Sequence, residues 1–456
     1  MKLPFLERLE KFLGKATDQV GFRLAEWPVV IAGLTLLLLA TVFFPSGVGQ
    51  ALSIALFLSP LWLPVLLLSG AWLLYLILIR AEFIATQPTV LLEIRPPRSL
   101  VKTPLAMETL LTSLHFNKGE SNWFQLYIQG KSRPYWSLEL VSNEGKIHFY
   151  IWTRVEFRRL VESAVYAQYP GAQVVEVPDY ARMISATPEE YAVWGCDFKH
   201  TQPDPYPIKT YVDFGLDKVQ KEPEQVDPFA NLMEFLGSAG KGEYFWTQIV
   251  IRTAGTEKFK GKLTEKGKSW TWRDEAVKEI KEIRKRAQTK SKFFDPTTGK
   301  MVETEGFPNP TKGDSEMIAA IERNVSKLAF DVGIRSIYIA KREKFNPIMI
   351  TGMIAMWKPF DSQSYNTIKA TRWGIDYSDY PWEKDNEKKK DEFRRGIVQA
   401  YRRRQFFHHP FAFGNHMIMS TEELATIYHI PSQAAGAPGI ERIQSATSEA
   451  PSNLPV

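Results

Sequence analysis

Glycine–lysine pairs are the first feature of this sequence that could support chemistry, because they occur in phosphate-binding loops. Such a loop needs four residues between its first glycine and Gly-Lys-Ser/Thr, since the loop length sets how backbone amides wrap the phosphates. The nearest match runs from Gly261 to Gly267-Lys268-Ser269, with five residues between the glycines and no apolar strand before it. We therefore expect no nucleotide-binding site in this chain.

The histidines and the single cysteine lack the spacing of a metal site or a catalytic pair. A motif such as H-E-x-x-H brings two histidines to one helical face. The C-terminal histidines do not follow it: His408, His409, His416 and His429. Cys196 has His200 four residues later, but no nearby residue would orient that histidine as a base. We expect a buried structural thiol at Cys196, no catalytic residue, no metal site and no cofactor, and hence a chain that is not an enzyme.

Basic residues beside aromatic ones are the strongest candidate for binding chemistry. Residues 253–312 hold fifteen Lys/Arg and nine Asp/Glu, so this stretch carries +6, as much as the whole chain. Within it, residues 274–288 have the pattern of a helix with a thin apolar stripe. Four basic residues of this helix would contact a nucleic-acid backbone or anionic lipid: Lys281, Arg284, Lys285 and Arg286. The alternative is a solvated, mobile insertion.

A second charged helix is predicted for residues 384–404, which hold nine basic and four acidic residues. At its end, Arg402, Arg403 and Arg404 are further candidates for contact with nucleic acid or lipid. Together, the basic stretches 258–292 and 384–404 support one hypothesis, a membrane-tethered nucleic-acid-binding protein. Such a protein would bind DNA with a steep salt dependence, because binding releases counterions from the phosphates.

The elements that would position these residues begin with two apolar runs near the N-terminus. Of 456 residues, 44% are hydrophobic, and the runs 28–44 and 51–79 contain no charge. A spanning helix needs about 20 apolar residues, so we predict two transmembrane helices; a buried hairpin in a soluble core is the alternative. The second run contains Pro60 and Pro64, and either it kinks there or residues 51–59 lie in the membrane interface.

Positive residues flank both outer ends of the predicted transmembrane hairpin, residues 27–82, whereas its connection, residues 45–50, carries no charge. Because Lys and Arg accumulate on the cytoplasmic side of spans, we expect both termini and the bulk of the chain to be cytoplasmic. Residues 1–26 place apolar side chains on one helical face, opposite Lys and Arg. They are expected to form an amphipathic helix at the membrane interface, or else a plain cytosolic helix.

The rest of the chain has the pattern of an α+β protein with two similar domains. Residues 88–181 give strand and helix signals in the order βαββαβ, the ferredoxin-like unit. Residues 190–345 repeat this pattern, interrupted by the basic insertion 253–312. Residues 346–432 are expected to form a helical extension, and residues 433–456 a linker-like tail rich in Ala, Pro, Ser and Gly.

Alternation along the strands of the first domain assigns an aromatic face to its sheet. This face would carry Tyr135, His148, Tyr150 and Trp152. RNA-binding modules of this topology stack bases on such a face, but the sequence lacks their Arg/Lys-Gly-aromatic-Gly pattern in the central strand. We therefore favour an interface, in which these residues are buried against a neighbouring domain or subunit.

Several segments, taken together, resemble a known family. They are the two apolar runs, TPLAMETLLTSLHF (103–116), residues 137–177 beginning SLELVSNEGKIHFYIW, MSTEELATIYHIPS (419–432) and APSNLPV (450–456). The combination resembles the membrane-anchored N-terminal half of bacterial type IV secretion or conjugation-type ATPases, which are relatives of coupling proteins in the FtsK/HerA motor superfamily. The segment 419–432 also contains a helix start, with Ser420 or Thr421 as the N-cap and two glutamates in the first turn.

The resemblance implies a function that the residues alone do not. In that family a phosphate loop and a motor domain follow the last segment, and no catalytic residue of the motor matches a position in this sequence. It therefore implies a scaffold or adaptor of a type IV secretion or conjugation-like translocation system, which tethers and positions a motor ATPase supplied in cis or in trans. The implied location is the bacterial cytoplasmic (inner) membrane, and the implied partners are the motor, DNA and further copies of the chain.

Overall fold

The structure is a computed structural model that describes residues 35–36, 38–39, 41–97, 100, 102–116, 122–184, 190–218, 227–259, 261–264, 267–295, 300–371, 386–408, 411, 416–431 and 439–440. Its chain divides into two compact units. The apolar unit comprises Met1–Thr86, Gly119–Ser132 and Thr371–Ile397, and the sheet unit comprises Gln87–Lys118, Arg133–Ala370 and Val398–Val456. The predicted interfacial helix 1–26 and nearly all of the tail 433–456 lie outside the described residues.

Two apolar helices, α1 (Pro45–Phe57) and α2 (Ser59–Thr86), dominate the apolar unit. The predicted connection at 45–50 is wrong, because these residues form the first turns of α1. Pro45 lies in the first turn of this helix, where a missing backbone N–H costs little and the fixed φ angle suits a helix.

A single helix among the described residues, α2, is long and apolar enough to cross a membrane. The two-span topology expected from the sequence is therefore not found in this part of the chain, and most of the run 28–44 falls outside it. The second run, 51–79, is divided between α1 and α2 at Leu58. Both prolines of this run belong to α2, with Pro60 at its start and Pro64 in its interior.

Nine strands form one large antiparallel sheet, as expected for an α+β protein. The strands among the described residues are β1 Thr89–Arg95, β2 Tyr135–Asn143, β3 Lys146–Arg154, β4 Gln173–Val177, β5 Tyr191–His200, β6 Glu243–Thr253, β7 Gln288–Asp295, β8 Lys300–Pro308, β9 Ala329–Lys341, β10 Ile368–Thr371 and β11 Met417–Ser420. The large sheet has the order β10-β5-β9-β6-β2-β3-β1-β4, and β11 also pairs with β9. The remaining two strands, β7 and β8, form a separate hairpin.

The sheet consists of two halves with the same connectivity. In the first half, strands one to four of the chain lie in the order 4-1-3-2, and in the second half β10, β5, β9 and β6 repeat this order. The halves join where β2 pairs with β6, from Tyr135 opposite Arg252 to Asn143 opposite Tyr244. Residues 88–181 and 190–345 thus contribute to one continuous sheet.

The further helices are α3 Leu105–Ser113, α4 Trp123–Tyr127, α5 Arg158–Gln168, α6 Tyr180–Met183, α7 Phe229–Gly237, α8 Trp272–Arg286, α9 Lys312–Ser326, α10 Pro347–Ala355, α11 Asn386–Arg402 and α12 Thr421–Ile427. The region 346–432 is not wholly helical, since it supplies β10 and β11 to the sheet. Between β6 and β9 lie α8 and the β7–β8 hairpin, which fall within the basic insertion 253–312, and then α9. Both helices begin with capping boxes, in which Thr271 pairs with Asp274 and Thr311 with Asp314.

The segment 417–431 lies entirely in the protein core. The N-cap of its helix α12 is Ser420, one of the two caps that the sequence predicts, and the Ser420 hydroxyl accepts a hydrogen bond from the Glu423 N–H in a capping box. Every residue of α12 is buried. Leu424 and Ile427 pack with the helix α3 residues Leu110 and Leu111 in the main hydrophobic cluster. Burial of each such side chain contributes about 1.5–3 kcal/mol, so this segment is an integral part of the sheet unit.

Candidate functional site

The helix α2 presents its apolar side chains outward. None of its described residues is buried, and Leu61 and Leu68 expose 72% and 70% of their surface. Its sequence is free of charge from Ser59 to Ile79. An exposed apolar surface that extends along a whole helix is rare on soluble monomers and marks a surface that contacts other protein or lipid.

The aromatic residues predicted to form an interface are covered by the chain itself. Tyr135, Tyr150 and Trp152 are at most 9% exposed. Helix α6 lies on this face, where Tyr180 stacks on Tyr150 with their ring centroids 5.0 Å apart. His148 also stacks on Tyr150, with centroids 5.6 Å apart, and its Nδ1 is 2.6 Å from Glu93 Oε1. Segments of the same chain therefore cover this face of the sheet, where the sequence pattern predicted a neighbouring domain or subunit.

A buried ionic cluster, which we call the Arg404 clasp, holds this cover in place. Its members are Glu139 on β2, Asp179 before α6, Tyr180 and Arg404. Arg404 donates from Nε to Glu139 Oε1 at 2.9 Å and from Nη1 to Asp179 Oδ2 at 2.6 Å. Glu139 also accepts hydrogen bonds from the hydroxyls of Ser137 and Tyr180, both at 2.8 Å. Burial disfavours the charged guanidinium, but the two carboxylates dominate and raise the pKa of Arg404.

The clasp also perturbs the hydroxyls around it. Tyr401, in the last turn of α11, shares a 2.7 Å hydrogen bond with Tyr180. Burial, with the charge of Glu139 nearby, raises the pKa of both tyrosines well above its usual value. Both are therefore neutral phenols that can donate hydrogen bonds at neutral pH.

The predicted nucleic-acid or lipid contact at residues 402–404 is wrong for Arg404, which is 1% exposed. Its position in a run of three arginines suggested a solvated surface, but its backbone takes a left-handed conformation, with φ at 49°, and the side chain lies inside the clasp. Arg402 is half-buried and donates to the backbone oxygens of Ala181 and Ile184. Arg403 alone of the three is exposed.

The four basic residues predicted on the insertion helix do lie on an exposed surface. Lys281, Arg284, Lys285 and Arg286 are all exposed on α8. The opposite face of the helix is fixed by Ala276 and Ile283, which pack against Ile321 of α9 and Tyr206.

A groove of about 570 Å³ runs along the exposed face of α8. It is lined by Trp270 and Val277 and by basic and acidic residues: Lys268, Lys278, Lys281, Lys285, Asp274 and Glu282. We call this the α8 groove. Aromatic and basic side chains together suit a nucleic-acid strand or an anionic lipid headgroup.

A polar pocket of about 320 Å³ lies at the end of β5. Its buried His200 places Nδ1 3.4 Å from Asp204 Oδ1, and its Nε2 has no hydrogen-bond partner among the described residues. Lys258 Nζ forms an ion pair with Asp204 and donates to the backbone oxygen of His416 at 2.8 Å. Burial raises the pKa of Asp204, but His200 and Lys258 lower it more, so that the net change is downward.

The pocket combines acidic and basic groups, since Asp204 and Glu275 line it together with Lys258 and two histidines. Burial, together with Lys258 and Arg252, lowers the pKa of His416 to about 4, so this ring is neutral at pH 7. The ammonium of Lys258 is already paired with Asp204, so the pocket presents the neutral His416 ring beside a compensated ion pair. In the part of the chain that the structure describes, no group of three His, Cys, Asp or Glu side chains could hold a metal ion.

Comparison with protein families assigns residues 80–442 to a family described as Domain of unknown function (DUF8128). The chain belongs to this family. The match includes the whole sheet, the Arg404 clasp, the α8 groove and the polar pocket, whereas most of α2 precedes it. A comparison with curated proteins found no match.

The sequence patterns did not bring the residues of the clasp or of the pocket together, although Arg404, His200 and His416 were considered one by one. A signal was present for the pocket, since His200 and Asp204 are four residues apart. Lys258 and His416 join them from distant parts of the chain, and their pattern in the sequence gave no hint of this. Cys196, by contrast, is buried as predicted, and burial raises its pKa well above the usual value, which suits a structural thiol.

Proposed function

We propose that this protein is a membrane-anchored scaffold or adaptor of a type IV secretion or conjugation-like translocation system. The observation that carries the proposal is α2, a 28-residue helix with no buried residue, followed after two residues by the first strand of the sheet. A chain built in this way can hold a folded body at the membrane. Tethering would raise the local concentration of a partner motor ATPase, in cis or in trans, without any further contact.

The finer topology belongs to the same proposal. The run 28–44 would supply a second span, and both termini would lie in the cytoplasm of a bacterial cell, on the side of Arg80. The repeated 4-1-3-2 strand order supports a duplicated ferredoxin-like unit as the origin of the sheet. A body of this kind, with a core that continues from one half to the other, suits a positional role.

The proposal is tested with the full chain purified into lipid nanodiscs. We expect no ATP hydrolysis above that of empty nanodiscs, and sustained turnover by the pure protein would overturn the scaffold role. Photo-crosslinking in native membranes from exposed positions of the sheet unit, such as Lys241 and Lys344, should then capture a protein with a phosphate loop. Sequencing of the DNA beyond the codon for Val456 distinguishes a motor in cis from one in trans.

A second candidate function, binding of nucleic acid, is favoured by the α8 groove. Lys281 and Lys285 line this groove together with Trp270, and Arg284 and Arg286 are exposed on the same helix. The affinity of such a protein for duplex DNA falls as the salt concentration rises. Each neutralised phosphate makes the plot of log affinity against log salt concentration steeper by about 0.9.

Charge reversal tests this second function. We expect the replacement of all four residues by Glu to abolish DNA binding in fluorescence anisotropy. The matched control reverses four exposed lysines elsewhere on the sheet unit, Lys102, Lys146, Lys241 and Lys344, and should leave most of the binding intact. Equal losses in the two variants would indicate non-specific attraction by net charge, and absent binding in the wild type would exclude the function.

A further inference from the structure

A short aromatic helix lies exposed beside α2 within the apolar unit. Helix α4 has the sequence WFQLY and is followed by Ile128. Trp123, Phe124 and Ile128 expose 65%, 53% and 45% of their surface. We call these three residues together with Tyr127 the aromatic foot. Such a concentration of large exposed apolar side chains indicates a surface that is covered in the functional state.

The aromatic foot is fixed to α2 by specific contacts. The ring of Tyr127 stacks on Trp72 of α2 with centroids 5.8 Å apart, and Trp72 also contacts Tyr75. Gly130, with φ at +59°, passes so close to the helix that an added Cβ would lie 2.4 Å from the backbone oxygen of Ile79. Only glycine fits this approach, because of both its φ angle and its lack of a side chain.

The position of the aromatic foot along α2 matches the edge of a membrane. Arg80 is the first charged residue after the run 51–79. Trp72 and Tyr75 precede Arg80 by eight and five residues. At a rise of 1.5 Å per residue, they lie about 12 and 8 Å from Arg80 along the helix axis, on the side of the uncharged run. Interfacial helices bury their apolar face about 5–10 Å into the boundary between headgroups and acyl chains, and Trp and Tyr are enriched at this level.

We propose that the aromatic foot inserts into the cytoplasmic leaflet of the bilayer and sets how deep α2 sits. The occupant of this surface is lipid, because the foot is continuous with the exposed apolar side chains of α2. Its aromatic composition is also that of a membrane–water boundary. The inference rests on the proposed membrane anchoring, and it adds a second contact that would fix the tilt and depth of the helix.

Site-directed spin labelling of the full chain in lipid nanodiscs tests the inference. The single cysteine, Cys196, is 4% exposed, so labels can be introduced at chosen positions without removing it. Labels at Trp123→Cys and Ile128→Cys should show a several-fold higher ratio of oxygen to nickel-chelate accessibility than a label at Leu263→Cys. Leu263 is 64% exposed on the sheet unit and serves as the water-facing control. Leu68→Cys in α2 serves as the lipid-facing control.

The outcomes separate this inference from the anchoring itself. A lipid-like ratio at 68 with a water-like ratio at 123 and 128 overturns the aromatic foot and leaves the anchor intact. A water-like ratio at 68 overturns both. Exclusion of both reagents at 123 and 128 would mean that protein covers the foot, either a second copy or a partner, and would also overturn the inference.

A glycine substitution provides a second, independent test. Gly130→Ala should lower the ratio measured at position 128 several-fold, because the methyl group forces the loop away from α2, and leave the ratio at position 68 unchanged. The matched control is Gly70→Ala, whose added Cβ has no atom within 4 Å and should change neither value. An unchanged ratio at position 128 in Gly130→Ala would contradict the proposed attachment.

Discussion

Replacement of Arg404 by Met should be the most damaging single substitution on the aromatic face of the sheet. The change removes four hydrogen bonds of 2.6–3.2 Å to Glu139 and Asp179. Glu139 is fully buried and would keep only the hydroxyls of Ser137 and Tyr180 as donors. Removal of one partner from a buried pair costs about 3–5 kcal/mol, because the other charge remains desolvated.

Met is chosen because it keeps the backbone strain and most of the apolar packing at position 404 unchanged, so that the stability change reflects the lost charge interactions. Arg404 has a left-handed backbone, and Met retains the Cβ that makes this conformation unfavourable, so the strain is the same in both proteins. Met also replaces most of the apolar stem of arginine. Asp179, whose side chain is 20% exposed, can recover some hydration, so most of the loss originates from Glu139.

Urea unfolding in detergent, followed by tryptophan fluorescence, measures this loss. We expect the free energy of unfolding to fall by about 3–5 kcal/mol in Arg404→Met. It should change by less than about 0.5 kcal/mol in Arg403→Met, the exposed neighbour. The loss of unfolding free energy in the double variant Arg404→Met with Glu139→Gln should be smaller than the sum of the losses in the two single variants. The difference, the coupling energy, should be about 1–3 kcal/mol. A loss below about 1 kcal/mol in Arg404→Met would refute the reasoning.

Two further substitutions test the core of the sheet unit. Gly333→Ala places a methyl group 2.2 Å from the ring of Phe406 and should cost about 1–3 kcal/mol in urea unfolding, whereas Gly237→Ala, with its nearest atom at 3.6 Å, should be close to neutral. Burial raises the pKa of Glu423 to about 7, above its value in the unfolded chain, so the folded state binds this proton more tightly. Stability from this group is present below about pH 4.5 and is lost as the pH rises through 7, by about 3 kcal/mol in total. Glu423→Gln should remove that part of the pH dependence in unfolding measured from pH 5 to 8, and parallel profiles for the two proteins would contradict it.

The local patterns of the chain predict its elements well where apolar residues alternate along a strand. The βαββαβ order of residues 88–181 appears as four strands and the helices α3 and α5. The N-cap of α12 at Ser420 is also as predicted, because a capping box depends on residues only three positions apart. The strand β10 was not predicted, because a segment of four residues of mixed character is too short to show a clear alternation of apolar and polar residues.

Long-range packing explains the larger differences. Arg404 and Glu139 are 265 residues apart, and a run of three arginines gives no sign that one of them is buried. The aromatic residues of β2 and β3 were assigned to the correct face, but their cover comes from α6 and the end of α11. The sequence pattern predicts that such a face must be covered, and only the tertiary structure identifies the segments that cover it.

The association of α2 with a membrane is the central claim, and alkaline extraction of membranes tests it most directly. The wild-type chain should stay in the pellet at high pH, because about 20 apolar residues hold it in the bilayer. Leu67→Arg combined with Leu73→Arg places two charges in the middle of α2, each costing about 2.5–3.5 kcal/mol on insertion, and should release the protein. The matched control, Leu67→Ile with Leu73→Ile, should remain in the pellet. Extraction of the wild-type chain into the supernatant would contradict the account.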